Sequence, residues 1–257
     1  MQTKFTELTD SQWQVIEKVI KEEQGERKRQ HCLRSIINGI LWITRTGAQW
    51  RNMESKYPKW EVVYYYFRKW TRMNIIEKLL ILLVSAERVA HEREPEPSRV
   101  AIDSQSVKKV CFINLDTGVD GGKKINGRKR HIAVDSLGLP VAISVSPANM
   151  HDSEGGFDLL WQLEKNSKRL SVIYADMAYR GEFSKVVQNI YNWEIDISQK
   201  PESKQGFVPQ KGRWQVERSF AWLNFFRRLS KDYEKTISSA IAFIQFAFCS
   251  IILARIT

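Results

Sequence analysis

Cysteine is scarce in this chain: three residues in 257, Cys32, Cys111 and Cys249, odd in number and far apart. Neither a disulfide framework nor a zinc-finger spacing follows from them, and a reducing compartment is the simplest setting. Histidine numbers four, and no two have the spacing of a metal-ligating pair. The start, Met1-Gln2-Thr3-Lys4, lacks the apolar stretch that directs secretion. No repeat of fixed period and no low-complexity tract is present. The uncharged, largely apolar stretch 237–254 reaches only the lower edge of a membrane-spanning length. Ser238, Ser239, Gln245 and Ser250 dilute it, so a buried terminal helix is expected and no membrane partner. Acid is in the minority, 29 Asp and Glu against 40 Lys and Arg, a formal charge of +11. Such a surplus points to a polyanion, because each phosphate contact releases condensed counterions. With 43% hydrophobic residues the chain can fill a sizeable core, which excludes disorder for its bulk.

Thr9-Asp10-Ser11-Gln12 has the form of a capping box, and Trp13, Ile16, Val19 and Ile20 follow at helical spacing. After a charged gap over 21–30, a second stripe runs from Leu33 to Ile43, with Gly47 as its stop. A third helix begins after Pro58 and mixes Tyr64, Tyr65, Tyr66, Phe67 and Trp70 with Arg68, Lys69 and Arg72. These elements predict an all-helical domain over 1–90. It could be a helix-turn-helix-like DNA reader or only a packing cap. Pro95 and Pro97 mark a linker over 91–98, and a second domain is expected over 99–257. There the period changes. Short apolar runs end at Asp103, Asp135 and Asp176, and Leu137-Gly138-Leu139-Pro140 supplies a hairpin turn. Helices are expected over 152–165 and 181–191, a strand over 193–197, a loop over 199–212 and a long helix from Arg213. The result is a mixed α/β sheet flanked by helices.

Asp103 and Asp176 both read as strand-end carboxylates, where a sheet opens a crevice and a divalent cation is a natural partner. Glu217 lies on the last helix, with Arg213 one turn before it and Asn224 further along the same face. By itself the Arg213–Glu217 pair could be an exposed ion pair of little consequence. Two strand aspartates and a helical glutamate in a basic chain suit phosphoryl transfer assisted by two cations. Lys123, Lys124, Arg128, Lys129 and Arg130 read as a basic loop able to track phosphates or as a solvated hairpin tip. Arg213, Arg227, Arg228 and Lys231 are further candidate DNA contacts. His131 and His151 are expected to be structural or to support other groups rather than to ligate.

Ordered blocks along nearly the whole chain resemble the DDE transposases of bacterial insertion sequences, specifically the insertion sequence five family. The blocks are Leu8-Thr9-Asp10-Ser11-Gln12-Trp13, Arg45-Thr46-Gly47-Ala48-Gln49-Trp50-Arg51, the aromatic run 60–70, Ala101-Ile102-Asp103-Ser104-Gln105-Ser106-Val107-Lys108, Lys129-Arg130-His131-Ile132-Ala133-Val134-Asp135, Ala148-Asn149-Met150-His151-Asp152, Ala175-Asp176-Met177-Ala178-Tyr179-Arg180-Gly181 and Arg213-Trp214-Gln215-Val216-Glu217-Arg218-Ser219-Phe220-Ala221-Trp222-Leu223. The resemblance implies a ribonuclease H-like core and a catalytic triad of Asp103, Asp176 and Glu217 holding two Mg²⁺ or Mn²⁺ ions. It also implies cleavage at terminal inverted repeats and joining of the 3′-hydroxyl to target DNA. Double-stranded DNA is the implied partner, the cytoplasm of a bacterium the place, and a homo-oligomer the form that joins two ends. Gln210 and Asn224 depart from a related signature that has Tyr and Lys there. A hydrolytic nuclease without strand transfer, or a non-catalytic DNA-binding derivative, are the rival readings.

Overall fold

The computed structural model describes residues 5–24, 31–197 and 212–256. The expected loop over 199–212, with Gln210 in it, lies outside the described residues apart from Gly212. By contacts the chain falls into two compact units, residues 1–83 with 223–257, and residues 84–222.

The first unit is helical. In α1 (Asp10–Gln24) the capping box forms in both directions: Gln12 N donates to Thr9 Oγ1 at 3.3 Å and Thr9 N to Gln12 Oε1 at 3.0 Å. The helix continues through Gln24, into what reads from sequence as a charged gap. Helix α2 (Leu33–Thr46) ends at Gly47, whose φ of 71° lets its N–H reach Ile43 O at 2.9 Å. The aromatic helix is α3 (Trp60–Arg72), and a helix that periodicity does not single out, α4 (Ile75–Ala90), follows after only Met73 and Asn74. The α2–α3 connection, residues 47–59, is far longer than the three or four residues of a helix-turn-helix. Helix α8 (Ile237–Leu253) is the uncharged terminal stretch, and Phe243, Ile244, Phe246, Phe248 and Ile252 on it are buried. Phe243 and Phe246 meet Phe67 of α3 at 4.7 and 6.1 Å between ring centres. That aromatic packing joins the C-terminal stretch to the helical unit by contacts. Among the described residues no helix is long and apolar enough to cross a membrane.

The second unit is built on a six-stranded mixed sheet of β1 (Arg99–Lys108), β2 (Gly118–Asp120), β3 (Ile125–Val134), β4 (Pro140–Pro147), β5 (Val172–Ala175) and β6 (Glu194–Ile197). Among the described residues five of them run in the order β4-β3-β1-β5-β6, with β2 also paired to β3; β3 is antiparallel to β1 and β4, and β5 and β6 are parallel to β1. Helices α5 (Asp152–Asn166) and α6 (Glu182–Asn189) connect the later strands, and α7 (Trp214–Leu223) follows β6. This is the ribonuclease H-like arrangement that the resemblance implies. Leu159, Leu160 and Leu163 of α5 and Phe183 and Val187 of α6 pack on Val100, Ile102 and Ile173 of the sheet.

Toward the end of β1 the rows under α5 turn polar. Strand partners share a sheet face, so Ser104, His131 and Ser144 form one row, and Ser106, Lys129 and Ser146 the next. All six are buried. Helix α5 comes close over them through two glycines. A Cβ on Gly155 would lie 2.4 Å from His131 Nε2, and one on Gly156 would lie 2.8 Å from Tyr179 Cε1.

Candidate active site

Asp103 reads from sequence as the end of a strand, but β1 runs on to Lys108, and Asp103 stands in its middle. What ends near it is the neighbour. Strand β5 pairs with β1 in the register Arg99↔Val172, Val100↔Ile173 and Ala101↔Tyr174, then stops at Ala175. The offset in that register, 172 − 99 = 73, equals 176 − 103 = 73. Carried two residues past its last pair, that register sets Asp103 level with Asp176, the residue that follows the end of β5 and caps the next turn.

Between two carboxylates set so close, a cation is the expected neighbour. Here it is Arg213, the residue before α7: its Nη2 lies 3.6 Å from Asp103 Oδ2 and 4.0 Å from Asp176 Oδ2. The guanidinium side chain is 10% exposed and those of Asp103 and Asp176 are 22% and 35% exposed, so the pair sits partly under cover. Burial pushes the Asp103 carboxyl up to about 6, against the backbone N–H of Ser104 and the charge of Arg213; Asp176 adds to the rise, and the charge of Lys123 opposes it. The Ser104 N–H donates to Asp103 Oδ1 at 2.7 Å. Asp176 Oδ1 accepts from Ala178 N at 2.9 Å and so caps the 3₁₀ turn Met177–Tyr179.

Helix α7 is fixed by the β3–β4 turn. Arg218 Nη2 donates to Leu137 O at 2.8 Å and Ser219 Oγ to Gly138 O at 2.7 Å. Gly138, at φ 74°, leaves room for this contact, since a Cβ there would be 3.0 Å from Ser219 Oγ. The turn itself is folded by Asp135, which accepts from Leu137 N and Leu139 N at 2.9 and 2.8 Å, and Asp135 is paired in the interior with Arg88. Glu217 stands one turn past Arg213, with its side chain exposed. Among the described residues no three His, Cys, Asp or Glu groups converge on one point. Asn224 lies beyond the last residue of α7, so it does not continue the Arg213–Glu217 face.

The other expected contacts divide by burial. Lys123 and Lys124 are exposed in the β2–β3 turn. Arg128, Lys129 and Arg130 do not form a loop; they lie within β3 and are buried. Arg128 donates to Leu115 O and Asp116 O at 2.8 and 3.1 Å. Lys129 reaches Asp152 Oδ1 at 2.7 Å and Met150 O at 2.8 Å. Arg213 faces the aspartates. In the helical unit Arg227 and Lys231 are exposed, whereas Arg228 is buried with its Nη2 2.6 Å from Glu234 Oε1. These three do not continue the Glu217 helix, which has ended at Leu223. His131 is buried against Ser146 Oγ at 2.8 Å, and His151 caps α5. On α3, Val63, Phe67 and Trp70 face the core, while Tyr65, Arg68 and Arg72 are exposed.

The sequence reading passes over Tyr179 and Asp152, which lie where α5 meets the sheet: Tyr179 packs under Gly156, and Asp152 pairs with Lys129. A pair of glycines inside a helical pattern, Gly155-Gly156, is the available signal for a close approach there.

A family profile described as "Transposase DDE domain" matches residues 94–252. The chain belongs to the DDE transposases. Residues 8–80 match a second family, described as "Putative transposase of IS4/5 family". A Burkholderia cepacia protein, "Putative transposase for insertion sequence element IS402", is 31% identical over 132 residues, 49% of this chain and 62% of that protein. The chain thus aligns with less than two thirds of that relative's length. An uncharacterized Sinorhizobium fredii protein, y4sN, is 24% identical over 102 residues, 39% of this chain and 75% of its own length. A solved structure titled "Crystal structure of the Mos1 Strand Transfer Complex" is similar at a TM-score of 0.32 and 11% identity, covering 91% of this chain and 78% of that one. That likeness is too slight to bear on fold or function.

Proposed function

We propose that this DDE transposase cuts DNA at the ends of an insertion element and joins the freed 3′-hydroxyl to target DNA. The observation that carries the reading is the register-matched pair Asp103 and Asp176, sharing one guanidinium at the open edge of β5. Two partly buried carboxylates that already draw a cation between them fit a divalent-metal site, because oxygen-rich carboxylate sets suit Mg²⁺ and Mn²⁺. Asp103, Asp176 and Glu217 would hold the ions, with Glu217 turning inward from its exposed place on α7. Two divalent cations bound there would stabilise the attacking and leaving oxygens of an in-line displacement at phosphorus.

The chain's own groups do the rest. The guanidinium of Arg213 neutralises the aspartates in the free protein and is placed to take a phosphate oxygen once metal ions replace it. Lys123, whose charge already acts on Asp103, and Lys124 hold the backbone of the bound strand from the β2–β3 turn. The exposed cations of α3, Arg68 and Arg72, with Tyr65 beside them, bind the element end from the helical unit, with Arg227 and Lys231 adding charge. Joining two ends calls for a second copy of the chain in the working complex.

The test is incubation of the purified chain with its element ends and Mg²⁺, followed by mapping of the strand products. Nicked ends, and joined product when a pre-cleaved end and a target plasmid are supplied, are the expected outcome. Hydrolysis without joined product would reduce the reading to a nuclease. Asp176→Asn is expected to bind end DNA normally and to cleave none.

A further inference from the structure

On the far side of Gly127, the last residue that it pairs with β1, strand β3 is laddered only to β2 among the described residues, through Val119↔Asn126 and Asp120↔Ile125. The sheet thus ends in a two-stranded ribbon, closed by the turn 121–124. The ribbon is held stiff. Asp120 Oδ1 accepts from Gly122 N and Lys123 N at 3.0 and 2.9 Å, Ser106 Oγ donates to Asp120 Oδ2, and Lys109 N donates to Asn126 O at 3.0 Å. At its root Gly118 admits the side chain of Asn149, whose Oδ1 would lie 1.7 Å from a Cβ there.

Partners in a ladder share a face, so Val119 and Asn126 look the same way, and both are exposed. Asp120 and Ile125, on the other face, are half-buried. Side chains alternate along β3, which puts Asn126 on the face of Ile132 and therefore of Asp103, the partner of Ile132. The separation along the strand is 132 − 126 = 6 residues, about 20 Å. At the tip Lys123 and Lys124 are exposed, and two glycines precede them. Neither glycine has a left-handed φ, and a Cβ would meet nothing within 4 Å at Gly121 and only Asp120 Oδ1, at 3.5 Å, at Gly122. The left-handed position of this turn, φ 54°, belongs to Lys124. The packing of the chain itself calls for no glycine at 121 or 122, and bare backbone beside two lysines leaves room for a ligand to come close.

The ribbon's charge selects that ligand. A second copy of this chain meeting it by the same surface would set lysines against lysines, whereas a nucleic acid brings phosphates. The major groove of DNA, about 12 Å wide and about 8.5 Å deep, admits a two-stranded ribbon, and three pairs of strand residues rise about 10 Å. We propose that the β2–β3 ribbon lies in the major groove of the element end, with Asn126 and Val119 reading one A·T pair and Lys123 and Lys124 on the flanking phosphates. An amide side chain makes two hydrogen bonds to adenine N6 and N7, and an apolar one packs on the thymine methyl. The pair that is read lies within about six base steps of the scissile bond, since about 20 Å of strand matches about six steps of about 3.4 Å. The inference rests on DNA being the substrate of the face that carries Asp103.

Single 7-deazaadenine substitutions along the end duplex test it, because each deletes the N7 acceptor of one adenine. Binding to the full-length chain is followed by filter retention without divalent cations. The parent is expected to lose affinity by about fivefold or more at one adenine. Asn126→Ala is expected to lose a similar factor on unmodified ends and to ignore the substitution at that adenine. Its melting temperature and its salt slope are expected to stay those of the parent. Asn126→Asp, which keeps the shape and lacks the amide donor, is expected to behave alike. Lys123→Ala with Lys124→Ala is expected to keep the sensitivity to that adenine and to shallow the slope of log K against log salt by about 1.8. The proposal is overturned if no adenine matters to the parent, or if Asn126→Ala still loses affinity at the one that does. A change of oligomeric state in Asn126→Ala with its base preference intact would assign the ribbon to a protein contact and overturn it too. If the parent cleaves end DNA and Asn126→Ala matches it throughout, the role of the ribbon alone is wrong. If the parent does not bind end DNA in preference to unrelated duplex, the reading of the function fails, and this proposal with it.

Discussion

At neutral pH the Asp103 carboxylate is ionised in a place where burial favours its protonated form, up to a pKa of about 6. A group whose folded pKa lies above its unfolded value weakens the fold where it is charged, above the folded pKa. Asp103→Asn is therefore expected to raise the stability of the cation-free protein, by roughly 1–3 kcal/mol in denaturant melts, while abolishing cleavage. His131 has the opposite sense. Burial holds its imidazole down to about 4 from the usual 6.5. The unfolded chain takes up the proton first as pH falls. Stability present above pH 6.5 is then lost down to about pH 4, amounting to about 3 kcal/mol across the window. In His131→Gln, melts between pH 7 and pH 4.5 should lose that slope. The Arg88–Asp135 pair is a third residue-scale test, with side chains 6% and 0% exposed. Asp135→Ala leaves Arg88 charged in the interior and unlatches the β3–β4 turn, so a loss of about 3–5 kcal/mol is expected by calorimetry.

At the scale of elements, the contact between α5 and the sheet is set by two glycines, Gly155 over His131 and Gly156 over Tyr179. Gly155 sits inside α5, where alanine would ordinarily improve helix propensity by about 1 kcal/mol. A Cβ there would meet the His131 ring at 2.4 Å, so Gly155→Ala is expected to destabilise by about 1–3 kcal/mol instead. Most elements are legible in the sequence because their signals are local. The capping box at Thr9, the stop at Gly47, the turn at Leu137-Gly138-Leu139-Pro140 and the apolar run 172–175 all carry their own geometry. What is not legible depends on partners far away in the chain. From sequence, strand β1 reads as stopping at Asp103 because Ser104, Gln105 and Ser106 are polar, yet Ser104 and Ser106 are buried in rows with His131, Lys129, Ser144 and Ser146. Arg128-Lys129-Arg130 reads as a solvated loop because three cations in sequence are rarely buried. Asp152 and the carbonyls of Leu115, Asp116 and Met150 are the partners that hold Arg128 and Lys129 inside.

For the whole molecule, a net charge of +11 is distributed unevenly between structural and exposed groups. Because Arg128, Lys129, Arg130 and Arg228 are buried, DNA binding should depend on exposed residues such as Lys123, Lys124, Arg68, Arg72, Arg227 and Lys231. Replacing Arg68 and Arg72 together with alanine is expected to shallow the slope of log K against log salt by about 2, measured by filter binding on end DNA. The residues proposed for the site, Asp103, Asp176 and Glu217, stand in blocks that resemble the family's. The nearness of Asp103 and Asp176 to one guanidinium is in no local pattern, because it depends on the pairing of β1 with β5. The fate of α8 was hidden for a similar reason: a helix apolar on every side says that it is buried but not against what.

The central claim is that Asp103, Asp176 and Glu217 close on divalent metal. Anomalous diffraction from a crystal soaked in Mn²⁺ tests it most directly. Anomalous peaks are expected between the two aspartates, with the Glu217 carboxylate drawn in and the Arg213 guanidinium moved away. A soaked crystal with no peak there, and with Glu217 still turned out to solvent, would contradict it.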